Sequence, residues 1–160
     1  MENIEIRTFD PDDRDWLIAQ HRQHYCAKEG FDESLGVLVT QIIDDFIDDH
    51  DPNCERGWIA NHGDQRLGSI FCVKLDAQRA KLRLFLLMPE SLGTGLGHLM
   101  LQTCMGFARD HGYEAMQLWT HESHRAAGRL YARNGWQLTG SRPVISFGKA
   151  NVEQTWEILV

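Results

Sequence analysis

Apolar and polar positions change rhythm several times along this 160-residue chain, and each change predicts an element. Ile4-Glu5-Ile6-Arg7-Thr8-Phe9 alternates with the period of two of a half-buried strand. Asp10-Pro11 closes it and opens a helix, with Asp10 as N-cap, Pro11 at the first helical position and acidic residues in the first turn. That helix is predicted to run to about Lys28 and to end at Gly30. Leu35, Leu38 (or Val39), Ile42 and Phe46 recur at helical spacing, predicting a second amphipathic helix over 35–49 that Asp51-Pro52-Asn53 breaks. Gly57-Trp58-Ile59-Ala60 and Leu67–Leu75 read as a hairpin joined through His62-Gly63-Asp64, followed by a strand over Leu82–Met88. Leu96, Leu99 (with Met100), Thr103 and Phe107 mark the buried face of a third helix, with Gly112 just past its end. Ala115–Thr120 is a strand, Ser123–Asn134 a fourth helix carrying Ala127, Leu130 and Tyr131, and Trp136–Thr139 and Thr155–Val160 are closing strands. The order β-α-α-β-β-β-α-β-α-β-β predicts one α/β domain over 1–160 on a mixed sheet, with helices three and four each linking two strands.

The junction between the Leu82–Met88 strand and the third helix carries the most chemistry. Gly93-Thr94-Gly95-Leu96-Gly97 places glycines on alternate residues there. Such a turn exposes backbone N–H groups at the positive end of a helix dipole, where a phosphate or pyrophosphate can rest. Glycine lets a ligand approach the backbone and permits positive φ; the same glycines would also suit a tight turn with no ligand. The run lacks the Gly-Lys-Ser/Thr of a P-loop and the G-x-G-x-x-G order of a dinucleotide fingerprint, leaving a pyrophosphate-bearing cofactor of another kind.

Charge and cysteine content narrow the field. Sixteen basic against 23 acidic residues give a formal charge of −7, which disfavours nucleic acid as a partner. Asp44, Asp45, Asp48 and Asp49 read as a solvated helix face. Cys26, Cys54, Cys72 and Cys104 have no metal-ligand or disulfide-frame spacing and suggest a reducing compartment. No apolar run reaches the length of a membrane span and the N-terminus has no leader pattern, so the expectation is a cytoplasmic protein with no membrane partner and no bound metal.

Met88-Pro89-Glu90, the glycine run and Leu99 resemble the acyl-CoA loop of the GNAT N-acetyltransferases. Leu130-Tyr131 with Asn134-Gly135-Trp136 resembles that family's Leu-Tyr-x-x-x-Gly-Phe signature. Tyr25–Asp32, Trp58-Ile59-Ala60, Lys81–Leu84, Leu118-Trp119-Thr120 and Gln154–Glu157 look like the acetyltransferase half of fused MarR-type regulators, here without the DNA-binding part. The resemblance implies a mixed, mostly antiparallel central sheet flanked by about four helices. It also implies acetyl-CoA as cofactor and direct transfer of its acetyl group to a small-molecule or protein amine. Two positions depart from the family: Leu92 stands where Arg or Gln is usual, and His124 where many members carry Asn.

By the same resemblance, coenzyme A contacts fall to Leu86, Leu87, Met88, Leu92, Gly93, Thr94, Gly95, Leu96, Gly97, His98, His124 and Tyr131. A strand-end N–H near Leu87 or Met88 is the expected donor to the thioester carbonyl. Tyr131 is the candidate general acid, since a phenol stays protonated at neutral pH; otherwise it is an aromatic on the inner face of helix four. His121, His124 and Glu29 are candidate bases, with helix capping as the alternative for His121 and a water relay as the alternative for all three. His24, Tyr25 and Trp58 are candidates to line the acceptor site. A non-catalytic acyl-CoA-binding sensor is the second reading of the whole chain, and homodimerisation is left open.

Overall fold

The computed structural model describes residues 3–160. Its strands are β1 (Ile4–Thr8), β2 (Arg56–His62), β3 (Gln65–Lys74), β4 (Arg79–Leu87), β5 (Ala115–His121), β6 (Gln137–Ser146) and β7 (Lys149–Leu159). Its α-helices are α1 (Arg14–His21), α2 (Glu33–Asp49), α3 (Leu96–Asp110) and α4 (Arg125–Arg133). The strands form one sheet in the order β1-β2-β3-β4-β5-β7-β6. Every neighbouring pair is antiparallel except β4 with β5. The expected mixed, mostly antiparallel sheet with four helices is therefore what the chain forms.

Strand alternation sends successive side chains to opposite faces, and each face has its own core. On one, Ile70, Cys72, Leu82, Met116 and Leu118 pack against Leu96, Met100, Cys104 and Phe107 of α3. On the other, Ile59 and Phe71 pack against Phe9, Leu17 of α1, and Val39 and Ile43 of α2. The inner side of α3 differs from the periodic reading at one position. Leu99 is 51% exposed, and Leu101 and Met105 are buried instead.

Several boundaries move for local reasons. The first helix divides into a 3-10 turn (Pro11–Asp13), α1, and a π-helical segment (Arg22–Lys28). Arg22-Gln23-His24 offers no apolar stripe at α-helical spacing, and none of residues 22–28 is buried. The second helix starts at Glu33 because Asp32 caps it, accepting the Ser34 N–H at 3.0 Å. Strand β4 begins at Arg79, where Asp76 accepts that residue's N–H at 2.8 Å. Helix α4 is confined to nine residues behind His124.

The largest difference is at 140–154, which is paired on both sides of the Phe147-Gly148 turn rather than left between two short strands. β6 and β7 run ten and eleven residues into a long hairpin. Gly140 and Pro143 interrupt the alternation of β6, yet β6 is the edge strand, where proline's missing N–H costs no ladder bond. β7 pairs with both β5 and β6. Only α3 therefore links adjacent parallel strands, while α4 leads from β5 to a parallel strand one place further on.

The parallel β4–β5 pair is short. Its register covers Arg79 with Ala115, Ala80 with Met116 and Lys81 with Gln117, and stops there. A bulge bends β4 just beyond. Ser69 faces Leu86 and Phe71 faces Arg83, so Leu84 and Phe85 together stand opposite Ile70 alone. Leu84 takes φ +53°, and the buried Ser69 hydroxyl donates to its carbonyl at 2.7 Å. No described helix is long and apolar enough to cross a membrane.

Asp13 fastens β1 and β3 to the first helical turn. Its carboxylate, 1% exposed, accepts from Arg7 at 2.7 and 2.8 Å, from Arg66 at 2.8 Å and from the Asp10 N–H at 2.9 Å. Burial alone would raise its pKa; the Arg7, Asp10 and Arg66 hydrogen bonds overcome this and hold it at about 2. The folded value lies below the unfolded value of about 3.9, so the stabilisation is complete above that pH and is lost as pH falls through about 2. Asp13→Asn is expected to lower unfolding free energy by about 2–3 kcal/mol at pH 7 in urea titrations. The gap from wild type should shrink between about pH 4 and 2.

Candidate active site

Beyond Lys81 and Gln117 the two central strands separate, which leaves a wedge between the end of β4 and the end of β5. Backbone polarity along that wedge follows from the β3 register. The Met88 N–H donates to the Leu67 carbonyl at 2.8 Å and is committed to β3. Alternation turns the Leu87 N–H the other way, into the wedge. Of the two strand-end donors expected from the sequence, only Leu87 faces the opening.

The glycine loop follows at the mouth. Pro89–Ser91 makes a 3-10 turn, and the Leu92 and Thr94 N–H groups fold inward onto the Pro89 and Ser91 carbonyls at 3.2 and 3.3 Å. Gly95 is the N-cap of α3 at φ +86°, and Gly93 has φ +78°. The first α3 bond runs from Leu99 N–H to the Gly95 carbonyl at 3.1 Å. The Gly93, Gly95, Gly97 and His98 N–H groups consequently have no hydrogen-bond partner among the described residues. A side chain at Gly93 or Gly95 would project into open space, as at the lip of a cradle. Gly97 is tight for a different reason: a Cβ there would lie 3.0 Å from Leu87 and 3.1 Å from Leu130. Leu86 is buried, whereas Leu92 is 61% exposed and offers no charge to an anion.

Tyr131, on α4, spans the wedge from above. Its ring lies 6.4 Å from Phe85 of β4 and 6.0 Å from Trp156, which pairs with Leu118 of β5. Its hydroxyl makes no hydrogen bond among the described residues, and the neighbouring Trp136 indole N–H is a buried donor without a partner. Burial, then the nearby Tyr25 and Cys104, raise the Tyr131 pKa, so the phenol keeps its proton at neutral pH.

The opposite lip of the wedge gathers residues from three segments. Glu29, at the end of the π-helical segment, bonds through Oε2 to His124 Nε2 at 2.7 Å. His124 Nδ1 lies 3.2 Å from Thr120 Oγ1. A carboxylate cannot donate, so Nε2 carries the hydrogen and both imidazole nitrogens are engaged. His24, Tyr25 and His121 stand around this pair, with ring centroids 6.5, 5.3 and 5.7 Å from that of His124. Neither His24 nor His121 has a side-chain hydrogen bond among the described residues. Burial lowers the pKa of both; for His121, repulsion by His124 adds to it, partly offset by Glu153 and Glu29.

Trp58 is not brought here. It is buried under α3, edge-on to Phe107 at 5.2 Å. Lys81 was not among the site candidates but stands on the last β4–β5 rung, with Nζ 3.7 Å over the Trp119 ring. Burial, then Arg83, lower its pKa to about 8. Strand alternation alone cannot reveal that rung, because its position depends on where the pairing stops. Two surface cavities, of about 360 and 310 Å³, open beside α2 around Phe46 and His50; the glycine loop and Tyr131 line neither.

Comparison with known proteins agrees with this architecture. The family model described as the acetyltransferase (GNAT) family matches residues 14–136. The chain is 33% identical to the rat (Rattus norvegicus) protein N-acetyltransferase 8B over 131 residues, covering 78% of this chain and 55% of that protein. It is also 33% identical to rat N-acetyltransferase 8F1 over 95 residues, 56% of this chain and 43% of that one. It thus spans about half the length of these relatives. Among solved structures it superposes on an acetyltransferase from Streptococcus agalactiae with a TM-score of 0.77 at 18% identity, covering all of both chains. A GNAT acetyltransferase from Elizabethkingia anophelis, solved with acetyl-CoA bound, gives 0.70 at 14% identity, again over both full chains. With more than half of its length matched by the family model, on a sheet that opens between β4 and β5 above a glycine-lined helix start, the chain belongs to the GNAT acetyltransferase family.

Proposed function

We propose that this protein transfers an acetyl group from acetyl-CoA to an amine nitrogen held at the same time in one site. The observation that carries the reading is the β4–β5 wedge, with an unpartnered N–H cradle at its mouth and an unpartnered phenol across it. The residues present fit the cofactor. Gly93, Gly95, Gly97 and His98 would hold the pyrophosphate through backbone N–H groups at the start of α3. Leu87 would donate to the acyl carbonyl. When bound, acetyl-CoA supplies a thioester whose acetyl carbon bonds to nitrogen as its carbon–sulfur bond breaks.

The chain's own residues manage the protons. Tyr131, protonated and buried beside Phe85, is the donor to the leaving thiolate. His121, kept neutral with both nitrogens free, is the acceptor of the proton that the incoming ammonium must lose. His124 and Glu29 are occupied with each other and shape the acceptor side.

Within the family we place the chain nearest the acetyltransferase half of MarR-type fusions, a reading supported by Tyr25–Asp32, Lys81–Leu84 and Gln154–Glu157. Four free thiols suit a reducing, cytoplasmic setting. A non-catalytic acyl-CoA sensor is the second reading, favoured by one observation, the exposed Leu92 in place of the usual cation.

Three measurements test these assignments. Gly95→Val, at φ +86° on the cradle lip, is expected to weaken coenzyme A binding by about tenfold or more in calorimetry, with folding checked by circular dichroism. Tyr131→Phe should leave that affinity near wild type and cut kcat by roughly 10- to 10³-fold in an assay of released thiol. An unchanged kcat would reduce Tyr131 to a packing residue, and no thiol release from wild type with any amine would favour the sensor. The third is the pH profile. A lowered imidazole pKa keeps His121 competent as a base to more acidic pH, so kcat/KM should decline only below about pH 6.5. His121→Gln should remove that limb.

A further inference from the structure

We propose that the cavity of about 310 Å³ beside α2 is a second ligand site, which takes a free amino acid as its zwitterion. Its lining joins groups of opposite sign. Ile42, Asp45, Phe46 and Asp49 form one stripe of α2, spaced to share a face, and Arg83 and Leu84 of β4 complete the lining from the sheet. The half-buried Arg83 makes no hydrogen bond or ion pair among the described residues. Burial lowers its pKa, and Glu55 is the one carboxylate that opposes this. Glu55 is itself engaged, with Oε1 accepting the Asp51 N–H and Oε2 the Lys74 N–H, both at 2.9 Å. Asp45 gives one oxygen to the Gln41 amide at 2.8 Å, and Asp49 has no partner among the described residues. Asp49 stands in the last turn of α2, which holds no basic residue and where the helix dipole is negative. An ammonium there offsets charge that the helix end itself disfavours.

The two signs are held apart, since no ion pair links Arg83 to Asp45 or Asp49. Neighbouring cations are turned elsewhere: Arg14 pairs with Asp44 at 2.6 Å, Arg56 lies over Phe107 at 4.8 Å, and Lys81 lies over Trp119 at 3.7 Å. A lone carboxylate in this cavity would meet Arg83 but also Asp45, Asp49 and Glu55; a lone ammonium would meet the guanidinium. A zwitterion satisfies both, with its carboxylate on the planar fork of Arg83 and its ammonium toward Asp49. Between these poles the wall is apolar. Phe46 stands edge-on to Phe71 at 4.9 Å and stacks on His50 at 4.3 Å, with Ile42, Val73 and Leu84 beside them. An apolar side chain therefore suits the ligand, and the volume lies at the small end of ligand sites, which favours one amino acid over a peptide. The glycine turn and Tyr131 do not line this cavity; it adjoins the wedge only through Leu84, where β4 bulges.

The test uses phenylalanine, hydrocinnamate and phenethylamine, which share one apolar body and differ in their charged groups. Binding to the full-length chain is measured by calorimetry without acetyl-CoA, so the result does not depend on the acetyltransferase reading. The site is located from histidine Cε1–H signals assigned by substitution. Phenylalanine should shift the His50 signal, leave those of His121 and His124 in place, and bind with a Kd at least about tenfold below that of either analogue. Arg83→Gln and Asp49→Asn should each raise that Kd about tenfold or more, with Arg83→Lys recovering part of the loss. Asp48→Asn, on α2 but outside the cavity lining, should change it by less than about threefold. No binding of phenylalanine, equal binding of either analogue, shifts at His121 and His124 in place of His50, or an unchanged Kd in Arg83→Gln with wild-type signal dispersion would each overturn the proposal.

Discussion

The candidate site depends on two adjacent parallel strands that pair for three residues and then part. A parallel ladder normally consumes the N–H and C=O groups of both strands. By stopping at Lys81 and Gln117, this one leaves the backbone polarity of the end of β4 available. The cause lies on the other side of β4. The Leu84–Phe85 bulge, pinned by Ser69, bends the strand, while Met88 stays tied to Leu67. β3 therefore holds β4 along its length, and β5 is held by β7, so the two neighbours can diverge without either losing its place in the sheet.

The parts of this arrangement that local chemistry specifies were legible in the sequence. The Asp10-Pro11 cap, the glycine turn, the end of α4 at Gly135 and the order of elements all follow from residue types at fixed offsets. The parts specified by pairing were not. Nothing in Arg83-Leu84-Phe85 announces a bulge, because Leu84 tolerates φ +53° only while Ser69 and the β3 register hold it. The β6–β7 hairpin was hidden by Gly140 and Pro143, which break alternation in a strand whose outer edge has no partner to lose. Trp58 looked like a site aromatic from its motif, and its strand parity instead sends it beneath α3.

His24, Tyr25 and Glu29 come from one stretch of the chain and His121 and His124 from another about 95 residues away, and the sequence offered no reason for the two to meet beyond family resemblance. His124 joins them: its ring reaches the Glu29 carboxylate through Nε2 and the Thr120 hydroxyl through Nδ1. The start of α4 is in this way joined to the loop after the π-helical segment. The π-helical segment supplies the slack: its wider turn leaves residues 22–28 out of the core and free to face the site.

The position of β7 also constrains how the molecule comes into being. The outer strand β6 is in place only through β7, and β5 owes most of its pairing to it; β7 follows both in the chain. A nascent chain halted before Lys149 has β6 with no neighbour and β5 held by three rungs of β4 alone. Half the sheet is then a pair of open edges, and the wedge has no second wall. The central division of this sheet is completed by the last of its strands in chain order, so partly synthesised chains carry the glycine turn without the second wall of the wedge. They also expose strand edges of the kind that pair with other chains, a hazard that passes when β7 arrives.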